Sequence, residues 1–177
     1  MKRLFLGILS AGILASCGRG NAIFNVDVLS FLSSADSTTD YSVFGGIPQA
    51  DSTVSRRFTL PPGFGKSSVD SVTASLSSVV ENATGGGRVT LQVFFAKQQG
   101  GLFIGTPYVS DSTGHLVGAD TVFLGTNKLS LADSVFNTDS LWVGIRARIS
   151  TDVGPAMAGR VRLTDMHVRI VLNDKIF

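Results

Sequence analysis

Apolar and polar residues alternate with a period of two along most of this chain, the pattern of strands with one buried face. Phe24, Val26 and Val28 alternate with Asn25 and Asp27. Val54, Phe58 and Leu60 alternate with Ser55, Arg57 and Thr59 until Pro61-Pro62 ends the run. Val72, Ala74, Leu76 and Val80 stand among Ser and Thr, and Val89, Leu91, Val93 and Phe95 among Arg88, Thr90, Gln92 and Phe94. A short apolar strand is expected over 120–125, and the cleanest row is Leu141, Val143, Ile145, Ala147 and Ile149. The last strand, Gly159 to Leu172, slips phase. Val161 and Leu163 point one way, and Met166, Val168, Ile170 and Leu172 continue one residue out of step. Keeping one buried face across that slip requires a β-bulge near Thr164-Asp165.

No segment carries a helical stripe beyond about two turns. Leu131 to Phe136 fits a single turn capped by Asp133 or Ser134. Turn-rich stretches separate the strands at Ser33 to Asp51, Pro61 to Ser67, Asn82 to Gly87, Gln98 to Gly118 and Thr151 to Gly159. About seven or eight strands so spaced predict an all-β fold, an antiparallel β-sandwich or jelly roll in a single domain. A closed barrel is the alternative. Outward Arg, Ser, Thr and Gln argue against a barrel in a membrane, whose outer positions are apolar.

The first residues follow another rule. Lys2 and Arg3 precede an uncharged apolar run from Leu4 to Leu14. That run is too short for a bilayer, which takes about 20 helical residues, and has the length of a signal-peptide core. Leu14-Ala15-Ser16-Cys17 follows, and Cys17 is the only cysteine. This motif resembles the lipobox of bacterial lipoproteins, a likeness confined to residues 1–17. The resemblance implies diacylglyceryl transfer to the Cys17 sulfur, cleavage after Ser16 and acylation of the new amino group. The expected organisation is a signal peptide over 1–16, a lipidated tether over 17–22 and a β-sandwich over 23–177. Two or more acyl chains anchor stably, so the domain would need no apolar surface of its own for attachment. In well-studied Gram-negative lipoproteins an Asp after the cysteine favours inner-membrane retention. By that likeness Gly18 favours the outer membrane.

Processing changes the charge. The 177-residue chain has 15 Lys and Arg against 13 Asp and Glu, and a net charge of +2. Cleavage removes Lys2 and Arg3 but no acid, leaving a formally neutral domain. A nucleic-acid binder would show a concentrated basic excess, so that class is set aside. One cysteine excludes a disulfide scaffold.

Few motifs carry chemistry. Gly65-Lys66-Ser67 lacks the earlier glycine of a P-loop, since Leu60 stands five positions before Gly65. Asn82-Ala83-Thr84 matches a glycosylation sequon, here read as coincidence, and Gly85-Gly86-Gly87 reads as an inter-strand loop. Metal ligands would come from Asp111, His115 and Asp120, or from Asp165 and His167. Zinc wants three or four convergent ligands and neither set supplies them. Loop Asp residues and carbonyls are also the ligand types calcium takes. No cofactor or metal is expected. With two His and no Gly-x-Ser-x-Gly elbow, no catalytic constellation emerges.

One surface stands out. Trp142, Arg146 and Arg148 point outward on one predicted strand, and Arg160 and Arg162 on the last. If these strands form a hairpin, Arg148 faces Arg160 or Arg162, which is unfavourable unless acids or an anionic partner intervene. Asp27, Asp70 and Asp165 are the expected neutralising acids. An acidic glycan or lipid headgroups are the expected anionic partner. Three functional readings follow. The first is a lipid-anchored, non-catalytic structural or binding module. The second is a glycan-binding jelly roll using Trp142 and the arginines. The third is a hydrolase with its site in the 98–118 loop around Asp111 and His115.

Overall fold

The computed structural model describes residues 20–60, 68–131 and 133–174. The signal segment, Cys17 and the Gly65-Lys66-Ser67 turn lie outside the described residues. Ten strands are present among those described: β1 (Gly20–Asp27), β2 (Thr38–Val43), β3 (Ala50–Thr59), β4 (Ser68–Thr84), β5 (Gly86–Ala96), β6 (Val109–Ser112), β7 (Leu116–Val117), β8 (Asp120–Leu131), β9 (Ser140–Thr151) and β10 (Met157–Asp174). A one-turn helix, α1 (Ser34–Ser37), is closed by a capping box between Ser33 and Asp36. Short 3-10 turns occupy Leu29–Phe31, Gln99–Gly101 and Ser134–Phe136. The last of these is capped by Asp133, whose carboxylate accepts from the Val135 amide.

The strands form two five-stranded antiparallel sheets. Sheet 1 runs β1-β10-β4-β8, with β2 beside β1 on the same edge of β10, and sheet 2 runs β3-β9-β5-β6, with β7 also on β5. From β2 to β5 and again from β7 to β10 the chain crosses between sheets at every step, as in a jelly roll. The sheets do not close into a barrel.

The alternating rows meet between the sheets. Val72, Ala74, Leu76, Val80, Val161, Met166, Val168 and Ile170 from sheet 1 face Phe58, Val89, Leu91, Val93, Leu141, Ile145 and Ile149 from sheet 2 in one core. The bulge in β10 falls where the phase slip requires it, between Leu163 and Asp165. Val79, Phe94 and Val171, apolar residues on outward positions, are nonetheless buried. Val79 lies between Arg162 and Phe123, and Phe94 lies beneath the loop after β5.

Some elements depart from the sequence pattern. β2, β6 and β7 lie inside segments read as turns, and β4 and β8 run past their predicted ends. β2 and β6 each bury only one side chain, Tyr41 and Val109, so their alternation is too faint to read. Leu129 and Leu131 extend β8 but face solvent, which hides the strand from an inside–outside pattern.

Candidate functional site

The two arginine-bearing strands do not form a hairpin, because β9 belongs to sheet 2 and β10 to sheet 1. Trp142, Arg146 and Arg148 therefore lie on one outer face, and Arg160 and Arg162 on the other. Arg148 stands between Asp51 and Thr90, not opposite another arginine.

On sheet 2 the side chains interlock. Gly144 leaves room for the loop after β5, since a Cβ there would lie 2.7 Å from Leu102 and Phe103. Phe103 meets Phe94 edge-on at 5.3 Å. The Arg146 guanidinium sits 4.6 Å from the Phe94 ring centroid, and its Nε donates to Gln92 Oε1 at 2.8 Å. Asp51 accepts from Arg148 Nε at 3.0 Å and lies 3.9 Å from Arg146. That hydrogen bond to Asp51 holds the Arg148 guanidinium above its usual range. Trp142 is half-buried between Arg57 and Ala96 at the end of this face.

On sheet 1 Arg160 Nε donates to Asp40 at 2.6 Å, and Glu81 stands opposite on β4. The Arg160 hydrogen bond holds the Asp40 carboxyl below the usual range. Arg162 is exposed between Thr38 and Val79. The acids that meet the arginines are thus Asp51 and Asp40. Asp165 instead holds His167 Nδ1 at 2.6 Å. With these pairs formed, like-charge repulsion no longer calls for an anionic partner.

The loop candidates do not converge. Asp111 accepts the amides of Ser112 and Gly125, His115 Nε2 is 2.8 Å from Asp152, and Asp120 accepts the Thr121 amide. Among the described residues, no three His, Cys, Asp or Glu side chains are grouped to hold a metal. A Ser-His-Asp order does occur on sheet 1, where Ser75 is paired with His167 beside Asp165. No hydrogen bond joins Ser75 to His167, and all three lie on an open sheet face. Asn82 is buried, and its side chain bonds to Tyr41, Gly85 and Gly118, so the sequon asparagine has no free amide.

A feature the sequence does not announce lies at the open edge between the sheets. β1 and β3 border a cleft of about 280 Å³. Val26, Phe58 and Leu60 form its apolar part, and Phe31 closes one side with its ring edge-on to Phe58 at 5.1 Å. Asn25, Asp27, Ser30 and Thr59 supply polar groups. These residues come from two distant stretches of chain joined only by the topology, and the alternation carries no sign of it.

No protein-family model matches the sequence, and no curated protein matches it. Solved structures do. A chain of infectious bursal disease virus, Gt strain, aligns with a TM-score of 0.52 at 11% identity, over 89% of this chain and 38% of the viral one. The Gx strain of that virus gives a TM-score of 0.45 at 10% identity, over 88% of this chain and 36% of that chain. TmCBM61, solved in complex with β-1,4-galactotriose, gives a TM-score of 0.36 at 9% identity, over 85% of this chain and 86% of that chain. This chain spans less than two fifths of the viral chains it matches. At such identities the likeness to the Gt-strain chain concerns the fold alone.

Proposed function

We propose that this chain is a bacterial envelope lipoprotein, acylated at Cys17, whose jelly roll is a non-catalytic binding module close to the membrane. The observation that carries this reading joins sequence to fold. The lipobox cysteine lies three residues before Gly20, where β1 begins its pairing with β10. An acyl group at Cys17 would thus be fixed to the rigid sandwich through almost no spacer. Gly18 supports sorting to the outer membrane. Radiolabelled palmitate fed to cells producing the wild type and Cys17→Ala tests the anchor. Label in the wild type alone is expected, and equal label in both would refute it.

For the module itself, a neutral glycan is favoured over an anionic partner, because Arg146, Arg148 and Arg160 are already engaged by Asp51 and Asp40. The observation favouring a glycan on sheet 2 is the fixed donor set. Arg146 is held by a ring, an amide and a carboxylate at once, beside the half-buried Trp142. Such preorganised planar donors suit sugar hydroxyls and lose little side-chain entropy on binding. A glycan array probed with the wild type and Trp142→Ala tests this, and an array on which no glycan binds would remove it.

A further inference from the structure

We propose that the cleft between β1 and β3 binds one ring of a neutral saccharide. This rests on the glycan-binding reading but places the ring at the sandwich edge rather than on the outer face that carries Trp142. A cavity of about 280 Å³ lies just below the ~300–1,000 Å³ of typical small-molecule sites, so it suits a single ring rather than a chain of rings.

Its lining has two characters. The apolar part is Val26, Phe58 and Leu60, walled by Phe31. Phe31 is 60% exposed although its ring is fixed edge-on against Phe58. The polar part has unused capacity. Asp27 Oδ1 accepts from the Ser30 amide at 3.3 Å, while Oδ2 has no partner among the described residues. The Asn25 amide and the Thr59 hydroxyl likewise make no side-chain hydrogen bond there.

Backbone groups add to this set. The Val28 amide donates to Met166, so on β1 the even-numbered residues bond to β10. Asn25 and Asp27 therefore turn their backbone N–H groups to the free edge, and Asn25 its C=O, while the Asp27 C=O accepts from the Ser30 hydroxyl at 2.7 Å. The Leu60 amide donates to Asp139, which by the same parity turns the Thr59 backbone groups outward from β3. The cleft lies between these two edges.

A pyranose matches both characters. Its C–H face lies on aromatic and aliphatic side chains, and its hydroxyls both donate and accept. An acyl chain would cover the polar groups without bonding them, which is unfavourable. An anionic sugar would meet the Asp27 carboxylate. An amine would satisfy Asp27 but leave Asn25 and Thr59 unused.

The test is saturation-transfer NMR on the full lipidated protein in a sugar-free zwitterionic detergent. The probes are methyl glycosides of glucose, galactose, mannose and N-acetylglucosamine, with hexanoate and ethanolamine as arms of other chemistry. Saturation of ring C–H protons is expected for at least one glycoside. Phe31→Ala and Asp27→Asn should each weaken it about tenfold or more. Both residues are exposed, and unchanged thermal melting would show that each variant is folded. Binding that survives both changes but falls in Trp142→Ala would overturn the cleft and leave the glycan reading standing. No saturation of any glycoside would overturn both. A response to hexanoate or ethanolamine alone would overturn the saccharide assignment.

Discussion

At the scale of single residues, the buried Asn82 side chain ties three separate segments together. Its Oδ1 accepts from the Tyr41 hydroxyl at 2.9 Å, and its Nδ2 donates to the carbonyls of Gly118 at 2.5 Å and Gly85 at 3.2 Å. It thereby joins β2, the β4–β5 turn and the β7–β8 turn. Gly159 makes the arrangement possible, since a Cβ there would fall 2.6 Å from the Tyr41 hydroxyl. Asn82→Ala strands the Tyr41 hydroxyl and the Gly118 carbonyl, while the Gly85 carbonyl keeps the Gly118 amide, and should cost about 2–3 kcal/mol in urea unfolding. Tyr41 also predicts an alkaline limit. Burial pushes its phenol, and that of Tyr108, up to about 12 from 10.0. The unfolded chain therefore loses these protons first as pH rises. Stability should be full below pH 10 and fall between about pH 10 and 12. The phenolate absorbance of the two tyrosines should rise together with unfolding.

At the scale of elements, β8 is the exposed margin of sheet 1. Phe123, Leu129 and Leu131 lie open on its outer face. Unpaired amides on such a strand invite pairing with another chain. Asp111 reaches from β6, at the margin of sheet 2, and takes the Gly125 amide at 3.0 Å. Asp111→Ala should uncover that amide and raise the oligomer fraction in sedimentation experiments, while the monomer keeps its circular dichroism. Strand legibility followed burial. β9 was plain because five alternate residues, Leu141 to Ile149, are buried, and the β10 bulge was plain because both halves bury their rows. Phe94 misled in the other direction. It lies on an outward position and is buried only because the later loop bearing Leu102 and Phe103 folds over it.

At the scale of the molecule, the layered all-β architecture could be read from the chain, but the sheet to which each strand belongs could not. Alternation marks a strand's inner face and not its neighbour. For that reason the alternation leaves open a hairpin between β9 and β10, adjacent in sequence, which in fact lie in opposite sheets. The arginine surface divides with them, and the salt bridges come from Asp51 and Asp40, whose strands β3 and β2 lie beside β9 and β10. The cleft was invisible for the same reason. The β1–β10 ladder has a mechanical consequence. All eight residues of β1 pair antiparallel with the last eight of the 18 residues of β10, the longest described strand, with Gly20 meeting Asp174. Tension drawn through the amino end along the strand axis would load those rungs side by side rather than peel them singly. A tether fastened there would therefore resist being torn loose under load.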